Sequence, residues 1–160
     1  MAAVVTRKNS CVAYVGSSSP LTAEDKLTNV YSFTPPQSQA GEIDVTDFDS
    51  DAKEFETGMI DGGEVTIVQN LVYATQYSKM QTLCDNGTTV YFALFVKNKN
   101  GDVVAGRQGS GVVKNVSIEG IEAGDNKITF TSTIRVSGAV TSIATEPGDN
   151  NEDPGEDPEG

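Results

Sequence analysis

The stretch that decides the fold is NKITFTSTIRV, residues 126–136, in which apolar and polar side chains alternate. One face is apolar apart from a single hydroxyl: Ile128, Phe130, Ser132, Ile134 and Val136. The other face is polar: Lys127, Thr129, Thr131, Thr133 and Arg135. A period of two residues is typical of a half-buried strand, so this segment predicts a β-strand with one face in the core.

A second strand is predicted for TTVYFALFVK, residues 88–97. One face holds four apolar residues: Val90, Phe92, Leu94 and Val96. The opposite face holds Tyr91, Ala93 and Phe95, which are too apolar to stay in contact with water. This face should therefore be covered, either by another element of the same chain or by a neighbouring subunit.

The remaining pattern predicts a mainly β protein with one helix. Further strands are expected at 27–33, 42–46, 64–69, 103–105 and 111–121. A helix is predicted over 73–84, where four residues recur at helical spacing before Asn86-Gly87: Tyr73, Tyr77, Met80 and Cys84. Turn signals at 98–101, 106–109 and 124–126 are too short for parallel crossovers. We expect two packed antiparallel sheets, a sandwich or part-barrel, with one flanking α-helix.

Composition divides the chain into three parts. Residues 1–40 are small and polar and form an N-terminal arm with the first strands, and 41–145 form the β domain. Residues 146–160 carry seven acids, three prolines and no basic residue, so this tail is expected to be disordered. The tail accounts for seven of the net charge of −12, which leaves −5 for the rest.

The residues point away from catalysis. The chain has no histidine, the commonest general base and metal ligand, and its two cysteines, Cys11 and Cys84, lie far apart in sequence. The run from Asp47 to Asp51 begins like a calcium loop, but Ala52 and Gly58 stand where that loop needs glycine and glutamate. We therefore expect no catalytic, cofactor or metal site. The acidic balance also argues against gripping nucleic acid by its phosphates.

The sequence shows no targeting or membrane signal. The opening MAAVVTRKNS lacks a basic leader followed by an apolar run, and no stretch is long enough to span a bilayer. We expect a protein made in a reducing cytoplasm, without a membrane anchor.

Residues 42–67, EIDVTDFDSDAKEFETGMIDGGEVTI, resemble the signature region of major tail-tube proteins of long-tailed, siphophage-type bacteriophages. The matching parts are the Asp44-Val45-Thr46 segment, an acidic loop with Phe48 and Phe55, and a turn from Gly58 to Gly63. The predicted helix and the ending TFTSTIRVSGAV, residues 129–140, also stand where that family has its helix and final strand. The resemblance covers about residues 28–143.

The resemblance implies a virion protein whose copies, six in a ring, stack into a hollow tail tube for DNA passage. The loop 47–61 would reach the adjacent ring, and its interface residues would be Asp47, Phe48, Asp49, Asp51, Phe55, Met59, Ile60 and Asp61. The alternative is that its apolar residues tuck under their own subunit. Tyr91 and Phe95 would form an inter-subunit sheet face. The polar face of 126–136 is one candidate for the lumen, although Lys127 and Arg135 fit poorly in a bore that must not bind DNA.

Partners implied by the resemblance are further copies of the chain, the tail-tip initiator, the tape-measure protein and the terminator, with DNA passing through unbound. The protein would be made in the host bacterial cytoplasm and end in the virion tail. Three other functions stay open: a tube protein of a contractile injection machine, a β-sandwich decoration or binding module, and an enzyme that uses carboxylates alone.

Overall fold

The computed structural model of the protein describes residues 11–98 and 100–147. Within these residues the chain has one α-helix, α1 (Ala74–Asn86), and a 3-10 turn at Ala23–Asp25. It also has nine strands there, namely β1 Cys11–Gly16, β2 Val30–Thr34, β3 Gln39–Asp44, β4 Phe55–Asp61, β5 Glu64–Asn70, β6 Thr89–Lys97, β7 Val103–Glu119, β8 Thr129–Val136 and β9 Thr141–Ser142. The protein is mainly β, with two sheets and one helix, which confirms the predicted fold class.

The larger sheet has seven strands, all paired antiparallel. Its order is β1-β6-β7-β8-β5-β2, and β9 pairs with β7. The sheet curls, because Tyr14 in β1 bridges to Lys26 and the Leu27 N–H donates to the Ala13 carbonyl at 2.8 Å. This contact brings the edge strand β1 to the segment that leads into β2 at the other edge. The larger sheet is therefore a part-barrel.

The main core lies between this sheet and α1. The strand pattern in β6 and β8 holds: Val90, Phe92, Leu94, Phe130, Ile134 and Val136 are buried together. Met80 of α1 is fully buried and the Tyr77 ring meets Phe130 edge to face at 5.6 Å. Burying a large apolar side chain contributes about 1.5–3 kcal/mol, so this cluster is the main source of stability. Tyr73, assigned to the helical stripe, instead precedes the helix and is exposed.

The predicted helix stop at Asn86-Gly87 is confirmed. Gly87 adopts φ 61°, the left-handed conformation that glycine takes without steric cost, and its N–H donates to the Cys84 carbonyl at 3.2 Å. The chain can then turn directly into β6.

The turn predicted at 106–109 is wrong, because β7 runs through it without a break. The glycines of β7 do not form a turn; they allow the backbone of neighbouring segments to come close to the strand. A Cβ on Gly106 would lie 2.0 Å from the Ile143 carbonyl oxygen, and one on Gly111 would lie 2.1 Å from the Arg135 carbonyl oxygen. Glycine is therefore required at these two positions, where the strap and β8 approach the β7 backbone closely.

The opposite face of β1 and β6 carries a smaller core, made of Val12, Tyr14, Ala93 and Phe95. Residues 137–147, here called the strap, contribute Ile143 to its cover and pair with β7 through β9. Glu146 fastens the strap by accepting a hydrogen bond from the Tyr14 hydroxyl at 2.9 Å and by pairing with Lys97. The tail predicted to be disordered from residue 146 thus begins with an anchored residue, while 148–160 and 1–10 lie outside the described residues.

Candidate assembly interface

The smaller sheet is a hairpin of β3 and β4 that spans residues 39–61, here called the hairpin arm. Every residue of β3 is exposed, and so is every residue of β4 except Gly58, which is half-buried. The expectation of a loop over 47–61 is therefore wrong in its second half, because β4 pairs with β3 from Phe55 opposite Asp44 to Asp61 opposite Gln39. Alternation did not reveal β4, because neither face of the arm packs in the core of this chain and the register shifts near Ala40.

Hydrogen bonds within the arm order its tip. The Thr46 hydroxyl accepts from the Glu54 N–H at 2.8 Å, and the Asp47 N–H donates to the Ser50 hydroxyl at 3.1 Å. The side chain and the backbone N–H of Thr46 hydrogen-bond Asp44 and lower the pKa of that carboxyl. The polar side chains thus hold the turn, and Phe48 at the tip is left fully exposed.

The base of the arm is fastened to β8. The Asp61 carboxylate accepts a hydrogen bond from the Gly63 N–H at 2.9 Å and pairs with Arg135 at 3.2 Å. The Gly63 hydrogen bond, and then the Arg135 guanidinium, lower the pKa of Asp61. The Val136 N–H also donates to the Gly63 carbonyl at 3.0 Å. The arm therefore leaves the larger sheet from a fixed point.

Six large apolar side chains lie exposed along the arm: Ile43, Val45, Phe48, Phe55, Met59 and Ile60. Met59 is 92% exposed and Ile60 is 67% exposed, so these residues do not tuck under their own subunit. Ile43 and Val45 were missed as interface candidates, because they were read as part of an ordinary strand. Residues 39–61 also carry eight acids and one lysine, so the arm is both apolar and strongly acidic.

The two sheet residues predicted to meet a neighbour behave differently. Phe95 is fully buried and meets Tyr14 edge to face at 5.8 Å, with Leu21 and Ile143 packed on the same cluster. Its assignment to an inter-subunit face is wrong in this fold, because the same chain covers it. Tyr91 is half-buried in a groove of about 410 Å³ beside the strap, and its contact with a neighbour stays a prediction.

A second exposed apolar set was missed altogether. It consists of Tyr31, Val72, Tyr73, Ile121 and Ile128, here called the end patch. Contacts join its segments: the Leu71 N–H donates to the Ile128 carbonyl at 3.0 Å, and the Lys127 ammonium lies 3.1 Å from the centre of the Tyr31 ring. The sequence patterns predict Tyr73 in the helix, Ile128 on the core face of a strand and Ile121 at the end of the strand 111–121, whereas the structure leaves all three side chains exposed.

Across 11–98 and 100–147, no three histidine, cysteine or carboxylate side chains come together as metal ligands do. Cys11 and Cys84 are both free thiols. Of the helices that the structure describes, none has the length and apolar character of a membrane span.

No protein-family model matches the chain, and no curated protein sequence does either. Solved structures do match. The SPP1 tail tube superposes with a TM-score of 0.59 at 15% identity, over 92% of this chain and 84% of that one. This chain has the tail-tube fold. A chain from the tail of an empty gene transfer agent particle gives 0.62 at 13% identity, over 88% of this chain and all of that one.

The tail-tube fold also extends to contractile machines. A chain of the PVC sheath-tube complex, an extracellular contractile injection system, superposes with a TM-score of 0.62 at 11% identity, over 84% of this chain and 88% of that one. At such identities the likeness concerns the fold alone.

Proposed function

We propose that this protein is the subunit of a tail tube, a structural virion protein whose copies form rings that stack into a hollow conduit. The observation that carries the proposal is the hairpin arm, whose apolar side chains are exposed in a chain with the tail-tube fold. Large apolar patches on soluble proteins mark interaction sites, and a hairpin with two open edges invites pairing. Contact with other copies would cover both.

The arm is suited to contact between copies in two further respects. Its tip is held by its own hydrogen bonds, so little ordering entropy is lost when Phe48 is buried against a partner. Its base is fixed to β8 through Asp61 and Arg135, so the arm projects in a defined direction. We assign the arm to the contact between adjacent rings and expect the buried aromatic residues to dominate its energy.

A tube needs a surface that lines its bore, and we assign the polar face of β8 and its neighbours to that role. Hydroxyls predominate there, including Thr66, Thr131 and Thr133. The bases are each engaged: Arg135 pairs with Asp61, Lys114 with Glu64, and Lys127 lies over Tyr31. The two ion pairs support this assignment, because a lysine or arginine that is paired with a carboxylate gains less from a phosphate than an unpaired one does.

The remaining features of the proposal follow from the resemblance. Six copies close each ring, DNA leaves the virion through the tube, and assembly proceeds from a tail-tip initiator along the tape-measure protein to a terminator. The role is structural and not catalytic. The protein is made in the host cytoplasm and is incorporated into the tail.

Negative-stain electron microscopy of the purified chain at high concentration tests the proposal. Hollow tubes or stacked rings are expected, either spontaneously or after seeding with a tail-tip complex. A chain that remains monomeric at all concentrations, even when seeded, would instead favour a decoration module that binds a particle surface.

A second candidate is the inner tube of a contractile injection machine. The observation that favours it is the likeness to a chain of the PVC sheath-tube complex, which equals the likeness to the gene transfer agent tail in TM-score. Purifying tubes from the source particle separates the two candidates, because a contractile machine yields tubes surrounded by a second, sheath-forming protein.

A further inference from the structure

The strap, residues 137–147, closes the smaller core although none of its own side chains is fully buried. Phe95 and Ala93 beneath it are 0% and 1% exposed, whereas seven of the eleven strap residues are exposed and four are half-buried. Two cavities, of about 410 and 290 Å³, are lined in part by the strap. Segments with few buried apolar contacts open at a small fraction of the free energy of global unfolding, so the strap should open locally.

The strap also covers an edge of β7. Of the segments that the structure describes, the strap is the one that pairs with residues 103–110 on the side away from β6. The Ile143 N–H donates to the Gly106 carbonyl at 3.1 Å, and the Ser137 N–H donates to the Ser110 carbonyl at 2.8 Å. Opening of the strap would expose these backbone groups of β7 as an unpaired strand edge.

The residues of this edge are suited to pairing with another strand. The segment VVAGRQGS, residues 103–110, has no proline and a single charged residue, Arg107. Proline and charge are the usual devices that keep strand edges apart, so this edge is poorly protected when the strap is open. Gly106 lets a second backbone come close, as the strap itself does, because a Cβ there would lie 2.0 Å from the Ile143 carbonyl oxygen. The strap pairs antiparallel, so an antiparallel strand from another molecule fits the same backbone groups.

One carboxylate holds the far end of the strap. Glu146 accepts a hydrogen bond from the Tyr14 hydroxyl at 2.9 Å and pairs with Lys97. The side chains of Lys97 and Glu146 are only 15% and 16% exposed, so water and salt screen this ion pair less than a surface pair. Removal of the carboxylate would leave the Lys97 charge half-buried without this partner, which favours the open strap.

We propose that the strap is a releasable cover, and that the Glu146 latch keeps the free subunit from pairing through residues 103–110 with the same edge of a second copy. Two such edges are self-complementary when they run antiparallel about a twofold axis, so the association would stop at two copies. A subunit held in this dimer would be lost to the assembly proposed above. The latch and the dimer are properties of the free subunit and can be measured without any tube.

Amide hydrogen exchange of Glu146→Ala tests the latch. The Ile143 N–H should exchange roughly tenfold to hundredfold faster than in the unmodified chain, which is the range expected for the loss of hydrogen bonds to a charged group. The amides of the central strand β6 should keep their protection, which also shows that the variant is folded. Glu122→Ala is the matched control, because it removes an exposed carboxylate that bonds Asn126, and it should leave exchange at Ile143 unchanged.

Sedimentation tests the dimer, at concentrations below those at which the unmodified chain assembles. Glu146→Ala should give a species of twice the monomer mass of 16.9 kDa, whereas the unmodified chain and Glu122→Ala should remain monomeric. Adding Val104→Lys to Glu146→Ala should restore the monomer, because a lysine on a strand edge opposes pairing. Val104 is 50% exposed, so this second change should leave the fold intact and exchange at Ile143 fast.

The inference is overturned if Glu146→Ala leaves exchange at Ile143 unchanged, or if the opened chain remains monomeric. It is also overturned if association continues beyond two copies, or if Val104→Lys does not restore the monomer. Either result would mean that the uncovered apolar face, and not the β7 edge, makes the contact. Failure of the unmodified chain to form tubes even when seeded would count against the proposed function alone.

Discussion

Replacing Phe95 by alanine should strongly destabilise the isolated subunit. The side chain is fully buried in the smaller core and meets the Tyr14 ring at 5.8 Å. Removing a buried phenylalanine costs about 3–5 kcal/mol, from lost burial and from the cavity that remains. The edge-to-face contact belongs to the same loss and favours the upper half of that range.

Urea unfolding of the monomer, followed by fluorescence and circular dichroism, measures this change as a shift of the midpoint at constant slope. Phe48→Ala is the matched control, because the same substitution at a fully exposed site should change stability by less than about 0.5 kcal/mol. In tube assembly the order of the two variants should be reversed, because Phe48→Ala should impair assembly although it hardly changes the stability of the monomer. A loss below about 1 kcal/mol for Phe95→Ala, together with failed assembly, would show that Phe95 serves an interface and refute this reasoning.

Ser132→Ala should leave the free energy of unfolding unchanged or raise it by up to about 1 kcal/mol, because the Ser132 hydroxyl is buried without a hydrogen-bond partner; a clear loss in urea unfolding would contradict this. Gly106→Ala should displace the strap and expose residues 137–147 to limited proteolysis, since the new Cβ would lie 2.0 Å from a carbonyl oxygen, whereas Gly41→Ala, where the nearest atom is 3.9 Å away, should not. The pKa of Asp61 is lowered from 3.8, so the ionised Asp61 carboxylate should stabilise the base of the arm fully above about pH 3.8. This stabilisation should be lost as the pH falls through the lowered pKa, and amide hydrogen exchange of Gly63, which donates to Asp61, can measure the loss. Asp61→Asn should abolish this pH dependence.

The sequence predicted the parts of the fold that local patterns encode. Alternation in 126–136 and 88–97 identified β8 and β6 and the faces they bury, because a strand with one face in the core must repeat every two residues. Helical spacing followed by Asn86-Gly87 located α1 and its end. The mainly β class with one helix followed from these elements.

Other features could not be predicted, because they depend on contacts between distant segments. Gly106 resembled a turn residue, yet it lies inside β7 at a point where the strap approaches the β7 backbone closely. Phe95 resembled an interface residue, and only the strap, which Glu146 fastens to Tyr14 from 132 positions away, shows that the same chain covers it. Strand β4 was not predicted, because neither of its faces packs in the core and its sequence therefore lacks the alternation of a half-buried strand.

The sequence by itself determined the fold class, the acidic apolar segment that becomes the arm, and the lack of histidine. The tertiary structure alone decided which apolar residues remain exposed and where they meet. The end patch combines four separate segments, which contain Tyr31, Val72, Ile121 and Ile128. They form one surface only because four strands end or begin at the same side of the sheet, namely β2, β5, β7 and β8. Periodicity records which face of a strand is apolar, whereas the neighbours of that face are set by pairing between strands far apart in the chain.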